Sequence, residues 1–203
     1  MRCQYPSLSR GPIVKKLLFL SGSSHVGSVN WRLASAAAAI TKQFFGNQIN
    51  PVTLDLMHFD LPSFEDASEN DQPEDAVRLK AEFDGVAGIF MSSDEYTGTY
   101  SAVLRNAIGW LRLSDPNLRT PFDGTQVALC GSSGRGAGGL RGQPALQQLL
   151  NELGAIVIPQ HLEMGTAESP FDASGTLRPK AQKQLLEGCL GKLCGNILAV
   201  PAA

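Results

Sequence analysis

Five short apolar runs, each followed by a helix-forming stretch, recur along nearly the whole chain, and that rhythm restricts the folds open to it more than any other feature. The runs are KLLFL at 16–20, VTLDL at 52–56, GVAGIFM at 85–91, QVALC at 126–130 and AIVI at 155–158. Most are continuously apolar, as strands buried on both faces are; the second alternates. Between them, WRLASAAAAITKQFF at 31–45 holds neither Gly nor Pro and closes on Gly46 and Asn47, a helix with its stop signal. Further helices are predicted at 74–83, 101–113, 143–153 and 179–193. Alternation of this kind makes each crossover a right-handed helix over a parallel sheet, so the expected architecture is a three-layer α/β/α sandwich. Ligands of such sheets sit at the carboxyl ends of the strands. One connection stands out: 58–73, rich in Asp, Glu, Pro and Ser, reads as a long surface loop. Residues 1–14 carry Arg2 and Arg10 but no apolar signal segment, and are expected to be a flexible tail ahead of one domain, 15–203.

Composition narrows the function classes. With 43% apolar residues and a formal charge of -2, the 203-residue chain is neither disordered nor basic enough to grip nucleic acid. No apolar run approaches the roughly 20 residues that span a bilayer, so a membrane is not an expected partner. Cys3, Cys130, Cys189 and Cys194 form no CxxC pair and read as reduced thiols of a cytoplasmic protein. With three histidines in the chain and no carboxylate or cysteine beside His58 or His161 at metal spacing, a zinc site is not expected.

Three strand ends carry the candidate chemistry. The first strand opens into Gly22, Ser23, Ser24, His25, Val26, Gly27, Ser28, Val29 and Asn30 just before a helix. Backbone N–H groups and serine hydroxyls at the positive end of a helix dipole suit an anion. Gly22 and Gly27 have P-loop spacing, yet Ser28 stands where the phosphate-binding lysine belongs, which points away from an NTP-and-magnesium engine and toward a phosphate ester. The plainer reading is that Ser28 only caps the helix. The third strand runs into Ser92, Ser93, Asp94, Glu95, Tyr96, Thr97, Gly98, Thr99 and Tyr100. Two tyrosines beside exposed N–H groups suit a flat heterocycle, or else lie on neighbouring side chains. The fourth strand leads to a glycine-dense rim, 131–139, in which Gly134, Gly136 and Gly139 match G-x-G-x-x-G. That match comes late in the chain, and Gln160 stands where a ribose-binding acid is needed. Arg135 and Arg141 flank this rim, able to meet a dinucleotide phosphate or solvent. The spacing of Gly131, Ser132, Ser133 and Gly134 is not that of a hydrolase elbow.

In this order and on these strand ends, the three loops resemble the NADPH-dependent FMN reductase family of flavodoxin-like proteins, which includes quinone, azo-dye and chromate reductases. The family's G-S-x-R-x-x-S-x-N is matched from Gly22 to Asn30. Its P-E-Y-N-x-S/T is matched from Asp94 to Thr99, and its L-K-N-A-x-D-W by Leu104, Arg105, Asn106, Ala107, Ile108, Gly109 and Trp110. A glycine-rich turn followed by L-G-A-x-V-x-P is matched at 134–139 and 153–159. The resemblance implies a flavodoxin-like, five-stranded parallel sheet of strand order 2-1-3-4-5, usually in a homodimer or homotetramer. It implies that Ser23, Ser28 and Asn30, with His25 and Val29 in the same loop, hold the FMN phosphate. Glu95, Tyr96 and Thr97, with Asp94 and Gly98 in the same turn, would line the isoalloxazine ring, and Ser132 and Gly134 would lie near its other edge.

The resemblance further implies that NADPH or NADH passes hydride to FMN and leaves, and that a small electron acceptor then takes its place. The cofactor carries that chemistry, so no acid or base of the chain is required. Three departures from the family pattern bear on this. His25 replaces an arginine, exchanging a fixed charged fork for a residue type that titrates near neutral pH. Asp94 replaces a proline; a carboxylate aimed at the ring lowers its reduction potential, one facing water does not. Thr97 replaces asparagine or histidine. The competing functions are a flavodoxin-type electron carrier, for which a charge of -2 is a poor match to the strongly acidic surfaces of such carriers, and a scaffold that has lost the flavin.

Overall fold

A computed structural model describes residues 14–23, 25, 27–66, 72–113, 120–131, 141–160, 162–163, 171–172, 177–178 and 180–200. Along the chain come β1 (Lys15–Ser21), α1 (Val29–Phe45), β2 (Ile49–Asp55), 3-10 turns at Leu56–His58 and Phe64–Asp66, α2 (Glu74–Glu82) and β3 (Val86–Ser93). There follow β4 (Glu95–Tyr96), β5 (Thr99–Tyr100), α3 (Ala102–Leu113), β6 (Gln126–Gly131), α4 (Gly142–Glu152), β7 (Ile156–Val157), β8 (Leu162–Glu163) and α5 (Lys180–Ala199). The main sheet is parallel with order β2-β1-β3-β6-β7, and β8 pairs the far end of β6. This is the expected 2-1-3-4-5 winding, since β4 and β5 form a separate hairpin and β7 and β8 share the fifth position.

Alternation along each strand builds the three layers. Leu17, Phe19, Phe90, Ala128 and Cys130 face α1 and α5, packing with Leu33, Ala37, Leu190 and Leu193. Their neighbours Leu18, Leu20, Ile89, Met91, Val127 and Leu129 face the other way, onto Leu79 of α2, Leu104 and Ile108 of α3, and Leu146 and Leu150 of α4. A one-residue slip in β1 would exchange the two sets, so burial on both faces fixes its register. Cys130, Cys189 and Cys194 are unbridged and buried in the first layer; burial pushes the Cys189 thiol up to about 12 and that of Cys194 to about 11. These thiols stay protonated near neutral pH and are poor nucleophiles.

The strand start is tied to helix ends on both faces. Lys15 Nζ donates to the carbonyls of Ile197 (2.7 Å) and Val200 at the end of α5, and Lys16 Nζ donates to those of Glu82 (2.7 Å) and Asp84 (3.5 Å) at the end of α2. Adjacent residues on a strand point to opposite faces, so two consecutive ammonium groups satisfy the orphan carbonyls of two helices.

Three expectations need correction. The fifth strand is not the single run 155–158. Ile158 N–H still reaches Val127 O at 2.8 Å, but Pro159 follows with no N–H to offer, and pairing resumes only at Leu162. The last helix extends to Ala199, past the expected 193. The segment after β2 is more than a surface loop: Asn106 Nδ2 donates to Pro62 O (2.8 Å), Trp110 Nε1 donates to the same oxygen (2.8 Å), and Phe64 N–H donates to Asn106 Oδ1 (2.8 Å). The expected tail, apart from Val14, and residues 67–71 lie outside the described residues.

Gly109 stands where the resembling motif has an acid, and the reason is steric. A Cβ added there would lie 2.4–2.7 Å from three ring carbons of Phe64, whose ring Arg105 covers from 5.4 Å. Gly109→Ala should therefore cost about 1–3 kcal/mol in a urea melt. In a Phe64→Ala background the same change should become neutral or stabilising by up to about 1 kcal/mol, because alanine is the better helix former once the ring is gone.

Candidate functional site

The carboxyl ends of β1 and β3, neighbours in the sheet, bring the first and third loops together. Gly22 N–H donates to Ser92 O at 2.8 Å, and a Cβ on Gly22 would come within 3.1 Å of Leu104, so this glycine serves the close approach of α3. Ser23 is buried, and its hydroxyl accepts from His25 N–H at 3.4 Å. Ser28 N–H closes a turn onto His25 O at 3.1 Å, with Gly27 between them at φ 72°. The Ser28 hydroxyl accepts from Asn30 N–H (3.1 Å) and Trp31 N–H (3.5 Å), an N-cap for α1 that Val29 opens. The cap uses the oxygen lone pairs; the hydroxyl proton can still be donated to an anion, so the two readings of Ser28 are compatible. Ser24 and Val26 lie outside the described residues.

Asn30 is fully buried, and its side chain is spent inside the protein: Oδ1 accepts from Ser92 Oγ at 2.7 Å while Nδ2 donates to Asp94 Oδ1. It thereby fastens the first turn of α1 to the end of β3. Serines complete the weld. Ser93 Oγ donates to Asp94 O (3.0 Å) and accepts from Ser101 N–H (3.4 Å), and Ser101 Oγ donates to Gly22 O and accepts from Leu104 N–H (3.2 Å) as it starts α3. Sequence reasoning passed over Ser92, Ser93 and Ser101 as bracing residues; the available signal was a pair of serines ending an otherwise apolar strand. Asp94 does not face water with its whole carboxylate: Oδ2 is buried and has no hydrogen-bond partner among the described residues.

Glu95, Tyr96, Thr99 and Tyr100 pair antiparallel around Thr97 and Gly98, whose φ values of 48° and 84° make a two-residue turn with both central residues left-handed. Glycine is suited to the second place. Threonine at the first is the only non-glycine residue of positive φ among the described residues, and its β-branch makes that conformation costly. The tyrosines divide between the two readings offered by the sequence. Tyr100 packs against the α2–α3–α4 core, whereas Tyr96 is 45% exposed and its hydroxyl lies 2.9 Å from His25 Nε2, linking the two loops at their outer ends. Partial burial, and next the charge of Asp94, hold the Tyr96 phenol above its ordinary range.

The Glu95 side chain is only 3% exposed and turns toward α4, meeting Arg141 Nη2 at 2.6 Å and accepting from Arg141 N–H at 3.3 Å. Its partner Arg141 is thus an ion-paired residue with a 68% exposed side chain. Ser132, Gly134 and Arg135, with the rest of the glycine rim, lie outside the described residues, as does His161. His58 is exposed, and among the described residues no three His, Cys, Asp or Glu groups converge as a metal site. No described helix is long and apolar enough to cross a membrane.

A profile of the family described as NADPH-dependent FMN reductase matches residues 15–169. The NADH:(hydroxy)cinnamate reductase subunit CrdA of Vibrio ruber is 28% identical over 121 residues, 58% of this chain, and the match spans 58% of that relative's length. Among solved structures, the flavoenzyme NAD(P)H:(acceptor) oxidoreductase FerB of Paracoccus denitrificans superposes with a TM-score of 0.76 at 23% identity, covering 91% of this chain and 98% of its own. An azoreductase of Bacillus anthracis gives 0.56 at 17% identity, covering 91% and 99%. At these identities the structural likeness carries the fold: a flavodoxin-like sandwich.

Strain at Thr97 predicts a stabilising substitution. Asparagine tolerates the left-handed region, so Thr97→Asn should raise stability by about 1 kcal/mol, read as a higher urea midpoint with an unchanged denaturant slope. An equal or lower midpoint would show that the turn carries no such strain.

Proposed function

The chain belongs to the NADPH-dependent FMN reductase family, and on that footing we propose that it binds FMN across its first and third loops and passes reducing equivalents from NADPH or NADH to a small oxidised acceptor such as a quinone, an azo compound, a metal ion or free flavin. The single observation behind this is that an anion-type loop heading α1 and a tyrosine-bearing hairpin, distant in sequence, meet at one end of the sheet through His25 and Tyr96. Cβ atoms added at Gly27 and Gly98 meet nothing within 4 Å, so both turns border open space and leave room for a cofactor beside them.

Bound FMN would supply hydride and electron transfer. The protein's part is to hold and orient. In this reading Ser23, Ser28 and His25, with the backbone leading into Val29, grip the phosphate at the positive end of α1. Asn30 keeps that turn in place from inside. Tyr96 and the Thr97–Gly98 turn lie along the ring, and Glu95, through Arg141, fixes the hairpin against α4. Ser132 and Gly134 complete the far edge. The active unit is residues 15–203, assembled as a homodimer or homotetramer.

Adding FMN to the purified protein should shift the flavin spectrum, and the loaded protein should oxidise NADPH when a quinone is present; saturating FMN that neither binds nor supports turnover would refute the proposal. Stopped-flow reduction by NADPH alone separates a reductase from an electron carrier. Ser28→Ala should weaken FMN roughly tenfold, by removing a hydrogen bond to a charged group, and leave riboflavin affinity nearly unchanged. Equal losses for the two flavins would assign Ser28 to capping alone.

A further inference from the structure

We infer that Asp94 is a tuning residue through which this chain biases its flavin toward the oxidised state: an unpaired carboxylate, partly shut off from water, placed where β3 hands over to the hairpin. The inference rests on the reading that FMN lies between the first loop and that hairpin.

The carboxylate is held on one side only. Oδ1 accepts from Asn30 Nδ2, whereas Oδ2 is buried with no hydrogen-bond donor among the described residues. Asp75 pairs with Arg78, Glu95 with Arg141 and Glu187 with Lys183, whereas Asp94 has no ion-pair partner among the described residues. Glu95, next in the chain, has its charge offset by Arg141, which leaves Asp94 as the acid without a countercharge at this strand end among the described residues. Its field already reaches the hairpin, where it is the second cause that raises the Tyr96 phenol. The Asn30 amide calls for an oxygen acceptor at this position, which a neutral amide side chain also supplies. A negative charge with little solvent around it acts over several ångströms, and a ring that gains negative charge on reduction is opposed by it. The consequence is a bound flavin that is a stronger reductant than the same loop with a neutral residue would give.

The test uses wild type, Asp94→Asn, Asp94→Pro and Asp94→Glu, each loaded with FMN. The oxidised cofactor's dissociation constant is measured by fluorescence, and the midpoint potential by equilibration with a reference dye. Both neutral variants should lower the ratio of reduced to oxidised FMN dissociation constants roughly tenfold, a rise of about 30 mV for a two-electron couple. Asp94→Glu should stay close to wild type. If Asp94→Asn does not fold, Asp94→Pro carries the comparison, because loss of charge is common to both. Neutral variants that hold FMN at the wild-type potential, or that shift it in opposite directions, overturn the inference and leave the FMN reading intact. Failure of wild type itself to bind FMN removes both.

Discussion

The buried amide of Asn30 is the piece on which the ligand-facing end of this protein depends. It belongs to α1, yet it accepts from Ser92 and donates to Asp94, both at the end of β3. Because β1 and β3 are adjacent and in register up to Ser21 and Ser92, these two bonds set the height of the α1 turn against the start of the hairpin. Losing the amide would strand buried polar partners, at a cost of about 1–3 kcal/mol for each. The Gly22 carbonyl, Ser93 and Ser101 extend the same weld to α3, so the two loops behave as one frame in place of two independent turns.

Around that frame the rest of the site hangs by contacts between segments far apart in sequence. The Glu95–Arg141 pair joins the hairpin to α4, and Gly142 lets α4 come close, since a Cβ there would lie 3.1–3.2 Å from the backbone of Thr99 and Tyr100. An ion pair with one member exposed contributes little stability by itself. Its value here is positional: it holds a nearly buried carboxylate of the hairpin against the start of α4.

The alternation of strands and helices was legible because apolar runs and helix stop signals are local properties, and burial on both faces leaves them little choice; the strand order came from the family resemblance. The Ser28 cap and the helix that became α3 were readable for the same local reason. What escaped the sequence was set by partners many residues away. Nothing near Glu95 announces Arg141, and nothing near Gly109 announces the ring of Phe64. Two-residue strands such as β4 and β5 are too short to show a period, so the hairpin read as a loop. The inward turn of Asp94 depends on Asn30, 64 positions earlier. Pro159 was visible, but its effect on the fifth strand depends on which N–H groups β6 requires.

The paired lysines at the head of β1 have a practical corollary. Lys15 is bonded to carbonyls at Ile197 and Val200, so the two extremities of the described chain meet at the amino edge of the sheet, the pole opposite the mouth. Neighbouring extremities are the geometry that tolerates circular permutation. A chain trimmed to residues 15–200 and closed by a short linker at that pole would leave the loop-bearing end of the sheet open to solvent.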